Sequence, residues 1–196
     1  MMRYKSKFQA AMWRGGIASL ICLIAFQVLY SALGLELFSI LRTTALTVFY
    51  HLAVRLLLGE WVIPRLCGRG IDGSRAWFRV REWETALYRR LKVHRWKGGM
   101  PTYSPDEFSM RDHSLKEIAE ATCRAELVHE FNVVASFVPL LFALWFGALP
   151  VFLITSIAAA AFDLVFVAVQ RYNRPRLMRV MQMKERGRND EAKSCD

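Results

Sequence analysis

No two cysteines in the chain have a C-x-x-C spacing. The four present, Cys22, Cys67, Cys123 and Cys195, are scattered, which excludes a disulfide framework and a cysteine-based zinc site and fits a reducing setting. Charge is missing from long stretches. Residues 16–35 carry none, and residues 131–169 carry a single charge, Asp163. Acidic residues are also scarce, with 17 against 27 basic ones in 196 residues, giving a net charge of +10. Apolar side chains make up 54% of the chain, and they collect in these uncharged blocks. A bilayer core is crossed by about 20 helical residues, so the second block is long enough for two passes. A soluble enzyme, a disordered tail and a DNA-binding module are thereby excluded as first readings.

The expected fold is an all-α integral membrane protein with four transmembrane helices, at about 15–35, 37–62, 128–147 and 151–170, in one membrane domain over 1–196. The first apolar run exceeds a usual signal-peptide core and no clear cleavage site follows, so a retained span is expected. Gly34, Leu35 and Glu36 would make a tight hairpin between the first two spans. Gly147 and Pro150 divide the later block, and Pro139 is placed to kink the third helix. Outside the spans, Lys and Arg number four before the first, thirteen in residues 64–130 and eight from Arg171 onward, while the two short turns have none. The positive-inside rule then puts both termini and the middle segment in the cytosol, at the cell membrane. The charge needs no nucleic acid.

The cytosolic segment 64–127 begins with Gly68, Gly70 and Gly73 and then becomes amphipathic. Trp77, Val80, Trp83, Leu87 and Leu91 recur at steps of three and four, with Arg75, Arg79, Arg81, Arg89 and Arg90 mostly on other faces. A basic helix with tryptophans on its apolar side tends to lie in the membrane interface. Further on, Ser114 to Glu117 fits a capping box, from which one helix is expected to run into the third span.

No histidine is followed five residues later by aspartate, and Asp112-His113 leads into Ser114, so neither of two common acyltransferase signatures is present. Walker, G-x-S-x-G and H-E-x-x-H motifs are also absent. Three polar clusters remain. In the first, Glu126 and His129 are i and i+3 at the lip of the third span, with Glu120 and Arg124 as an i, i+4 pair beside them. An imidazole with a carboxylate to orient it can take a proton from an attacking hydroxyl. Charged residues at a helix end also pair for purely structural reasons, and spacing alone does not separate the two. One Glu-x-x-His is too few ligands for a metal centre. The second cluster runs from Gln170 to Arg176, and includes Arg171, Asn173 and Arg174. It reads either as lipid-phosphate attraction beneath a span or as a grip on a donor's phosphates. The third is intramembrane: His51, Arg55 and Asp163 lie about 21, 27 and 18 Å below the outer helix ends at 1.5 Å per residue. Ionisable groups in lipid pair or line polar cavities, so Asp163 is expected to face His51 or Arg55.

Several stretches resemble the glycosyl-4,4'-diaponeurosporenoate acyltransferase family over about residues 15–180. They are Trp83-Glu84 with Tyr88 and Leu91, Val93 with Trp96-Lys97 and Pro101, Glu120-x-Thr122-Cys123-Arg124-Ala125-Glu126-x-x-His129, and Gln170 through Arg176. The resemblance implies a membrane enzyme that moves a fatty acyl group to a sugar hydroxyl of a glycosylated carotenoid. Two departures stand out: Asp163, where the family is expected to carry Asn, and a longer basic segment at 64–82. On this reading His129, oriented by Glu126, deprotonates the acceptor hydroxyl at the cytosolic interface. Arg124, Arg171, Asn173 and Arg174 hold the donor's phosphates or the developing oxyanion, and Trp96 and Lys97 form the acceptor entrance. No metal or bound cofactor is expected; the co-substrate is acyl-CoA or an acyl carrier protein. Membrane lipids and the amphiphilic acceptor are the expected partners. The alternative is a non-catalytic membrane assembly or lipid-binding protein.

Overall fold

The structure, a computed structural model of the chain, describes residues 6–68 and 70–194; Arg3, Lys5 and Cys195 lie outside the described residues. Among those residues all regular structure is helical. Four helices are long and apolar enough to cross a membrane. Helix α1 (Lys7–Leu33) starts at Ser6, whose hydroxyl accepts from the Gln9 amide, and stops at Gly34, which takes the left-handed conformation with φ 65°. Helix α2 (Glu36–Cys67) follows at once and contains a π-turn over Leu58–Val62. Helix α3 (Glu82–Arg90) belongs to the middle segment. Helix α4 (Leu115–Ala135) begins with the expected capping box, Ser114 and Glu117 each serving the other's amide. It breaks before Pro139 into a 3₁₀ turn over Val138–Phe142, as proline's missing donor requires. Helix α5 (Leu149–Ser194) is 46 residues long. The stretch from Arg171 onward, expected as a tail, therefore continues the fourth span as helix, even through Pro175.

The helices pair as α1 with α2 and α4 with α5. Small residues allow this. Gly16 and Ser19 are buried on α1, and a Cβ on Gly15 would come within 3.2 Å of Leu52. Ala119, Ala121 and Cys123 of α4 and Ser156 and Ala160 of α5 are likewise buried. The outer surface is apolar: Ile17, Ile21, Ile24 and Val28 of α1 are each more than half exposed. Such a surface is stable against lipid and unfavourable against water. The two hairpins are tied by Tyr50, whose hydroxyl donates to the Ala135 carbonyl at 2.9 Å, and by Arg55, which pairs with Asp163. Toward the Gly34 turn, Arg42 donates to Gln27 at 2.9 Å and lies 4.7 Å from the Tyr30 ring centre.

The middle segment is not one amphipathic helix. Trp77 sits in a separate 3₁₀ turn, Ala76–Phe78, because the chain extends at Arg79 before α3 begins. Trp77 and Trp83 are nonetheless both exposed, along with Leu87 and Leu91. What holds the segment is buried charge. Arg171 donates to both carboxylate oxygens of Glu84, at 2.7 and 3.0 Å, and to Glu126 at 2.7 Å. Arg174, 2% exposed, pairs with the other oxygen of Glu126 and donates to the Phe78 carbonyl at 3.1 Å. Burial alone would raise the Glu84 carboxyl, but its hydrogen bond and ion pair with Arg171 outweigh that and hold it below the ordinary Glu value. Tyr88 donates to Glu84 at 3.2 Å. Burial, and then the Glu84 charge, push its hydroxyl up to about 12.

Two outcomes follow. Glu126→Ala leaves two guanidinia without their buried partner and should destabilise the chain by about 3–5 kcal/mol, read as thermal unfolding in nanodiscs. With Trp83 in the membrane interface, lipids brominated near the glycerol should quench the intrinsic fluorescence, and Trp83→Phe should remove part of that quenching. Equal quenching in both proteins would place the face elsewhere.

Candidate functional site

Asp163 is fully buried and is reached from two other helices. One oxygen pairs with Arg55 of α2; the other lies 2.9 Å from His129 Nδ1 and 3.4 Å from Asn132 Nδ2, both on α4. Arg55 also donates to the His51 carbonyl at 2.8 Å and the Ala159 carbonyl at 3.0 Å. A carboxylate so deep is costly unless paired and hydrogen-bonded, and here Arg55 offsets its charge. Against the Asp163 carboxylate, the tautomer that satisfies this contact has its proton on His129 Nδ1 and leaves Nε2 as a lone-pair acceptor. The imidazole stacks on Phe166 with ring centres 4.6 Å apart and planes within 10°, which fixes its orientation. His129 is 21% exposed, toward a cavity.

The cavity, about 1380 Å³, lies between the two hairpins and beneath the loop that follows α3. His129, Asn132, Asp163 and Phe162 line it, as do Arg124, Lys97 and Asn173. Lys97 donates to Asn173 and lies 5.0 Å from the Tyr172 ring centre. Burial, and then the charge of Arg176, lower its ammonium below the ordinary Lys value. The loop is fastened to α1 and to the π-turn. Ser6 donates to the Tyr103 carbonyl at 2.7 Å, and Glu60 accepts from Gln9 at 2.9 Å, Trp13 at 3.1 Å and the Tyr103 hydroxyl. Within α2, a π-turn is a common way to present side chains at a site.

The residues singled out by the sequence divide into two groups. His129, Arg124, Lys97, Asn173, Arg55 and Asp163 meet at one cavity, and Asp163 pairs with Arg55 as expected. Three other expectations need correcting. Glu126 does not orient His129: one turn earlier on α4, its two oxygens are taken by Arg171 and Arg174, and Asp163 holds the imidazole instead. Arg171 and Arg174 are turned to the chain itself and not to a donor: buried Glu84 and Glu126 and the backbone carbonyls of Trp77, Phe78 and Arg79 take all of their nitrogens but the Arg174 Nε, which is buried. Trp96 is off the cavity wall, its indole N–H donating to the Leu91 carbonyl at 3.0 Å. His51 is buried beside Arg55, and its Nε2 has no partner among the described residues. Arg124 has no hydrogen bond or ion pair among them. The sequence reading missed Asn132, Glu60, Tyr103 and Phe166. Asn132 left a trace, being a lone amide in an apolar run three residues after His129.

No group of three or more His, Cys, Asp and Glu among the described residues is placed to hold a metal ion. No curated protein and no solved structure matches the chain. A family model described as glycosyl-4,4'-diaponeurosporenoate acyltransferase matches residues 74–183, a stretch that contains His129, Asn132 and Asp163. That match covers more than half of the chain, which therefore belongs to the glycosyl-4,4'-diaponeurosporenoate acyltransferase family.

Proposed function

We propose that the chain is a multi-pass O-acyltransferase of the cell membrane, with both termini cytosolic, acting on an amphiphilic acceptor such as a glycosylated carotenoid. The observation that carries this reading is the His129–Asp163 pair opening into a cavity with an unpaired guanidinium, Arg124, on its wall. His129 Nε2 takes the proton of the acceptor hydroxyl as its oxygen attacks the thioester carbonyl of acyl-CoA or an acyl carrier protein. Asp163 keeps the imidazole in the tautomer that can accept, and faces the positive ring that forms. The carbon–sulfur bond breaks, the thiolate takes the proton from His129, and ester and free thiol leave. Arg124 and Lys97 supply positive charge for the donor's phosphates or the oxyanion. Glu126, Arg171 and Arg174 hold the wall in place and take no part in the proton transfer. The acyl chain and the apolar body of the acceptor stay in lipid, so only their heads enter the cavity.

The alternative, a non-catalytic assembly or lipid-binding protein, draws support from the exposed Trp77 and Trp83 on the basic middle segment. One pair of variants separates the readings. His129→Gln should lower formation of the acyl ester at least about 100-fold at unchanged membrane abundance, since a positioned base contributes about 10²–10⁴. Glu126→Gln should keep the rate per folded molecule while lowering thermal stability. Full product yield from His129→Gln, measured by mass in lipid and pigment extracts, would favour the non-catalytic reading.

A further inference from the structure

Asn132 lies one turn deeper than His129 on the same helix, 3% exposed, on the wall of the same cavity. Its Nδ2 approaches Asp163 Oδ1 at 3.4 Å, and this sets which way round the amide lies. Exchanging its two ends would put an amide oxygen against a carboxylate. Oδ1 is thus turned away from Asp163, and it is buried with no hydrogen-bond donor among the described residues. The donors nearest in the network, His129 Nδ1 and the Arg55 guanidinium, are directed at Asp163 and at backbone carbonyls. Phe162 and Phe166, which share this part of the wall, have no side-chain donor at all. A buried acceptor without a donor is unfavourable and calls for a partner, and Asn132 belongs to the wall of the cavity that a ligand would fill.

We propose that Asn132 Oδ1 is a subsite for a second hydroxyl of the acceptor head, so that the site selects polyol heads over simple alcohols. The inference rests on the acyl-transfer reading of His129. The reacting hydroxyl cannot fill this role, because its one proton passes to His129 Nε2. A neighbouring hydroxyl keeps its proton throughout and donates it to Oδ1, which fixes the head relative to the base while the new carbon–oxygen bond forms. An acceptor with a single hydroxyl leaves Oδ1 buried and unpaired. Sites that hydrogen-bond a substrate hydroxyl reject analogues lacking it far more strongly than apolar pockets reject a missing methylene.

The test compares dodecyl glucoside with dodecanol as acceptors, with palmitoyl-CoA as donor and the full chain in nanodiscs. The native protein should show kcat/KM at least about tenfold higher for the glucoside. Asn132→Leu, close in volume, should bring that ratio toward one, whatever the loss of its contact with Asp163 does to both rates alike. Asn132→Ser, which retains a smaller hydrogen-bonding group, should give an intermediate ratio and is read in place of the Leu variant if that one fails to accumulate. No preference in the native protein, an unchanged ratio in the variants, or equal loss of both acceptors would overturn the subsite and leave the acyl-transfer reading standing. Acylation of neither acceptor by the native protein would remove both.

Discussion

A carboxylate sealed among helices needs positive charge and hydrogen-bond donors, and Asp163 draws them from α2 and α4 while itself belonging to α5. This requirement joins the two hairpins. Arg55 comes from one; His129, Asn132 and Asp163 come from the other, so the cavity between them is set by one shared contact. Without Arg55, the Asp163 carboxylate would be met only by His129 and Asn132. The same ion pair that joins the hairpins therefore sets the electrostatics around His129.

One turn earlier on α4 the fold uses the same solution again. Glu126 takes Arg171 and Arg174, and Arg171 extends to Glu84, so the middle segment is clamped to the ends of α4 and α5. The loop that roofs the cavity is the continuation of that segment, and it is fastened on its other side through Tyr103 to Ser6 and Glu60. Polar contacts of both kinds leave Arg124 unpaired on the wall.

Much of the fold could be read from sequence, because its signals are local. The four apolar runs, the left-handed Gly34, the break at Pro139 and the Ser114–Glu117 box each depend on a few adjacent residues. The length of α5 could not be read this way: polar, basic residues around Pro175 look like a tail, yet the helix runs on through them, with Arg171 and Arg174 clamped to the middle segment. The site was half legible. His129, Arg55 and Asp163 are conspicuous as ionisable groups in or beside apolar runs, and the pairing of Asp163 with Arg55 was expected. The contact of Asp163 with His129 was not, because it depends on the register of α4 against α5, where small residues such as Ala119, Cys123 and Ala160 are buried. Glu126 and His129 share a helical face on paper, yet one turn of height sends them to different partners. Arg171 and Arg174 were misread for a related reason. The usual appetite of guanidinium for phosphate says nothing about carboxylates that the chain itself brings near.

Helix α5 carries Asp163, Asn173 and Arg174 on one rod, and Pro175 comes immediately after them. Proline deprives the Arg171 carbonyl of its usual partner four residues on, so the rod is easiest to flex over the turn that carries Asn173 and Arg174. Forces on the part of the helix beyond that turn would be absorbed there. The contact between His129 and Asp163, which lies well before the joint, would be shielded from whatever moves the end of the helix.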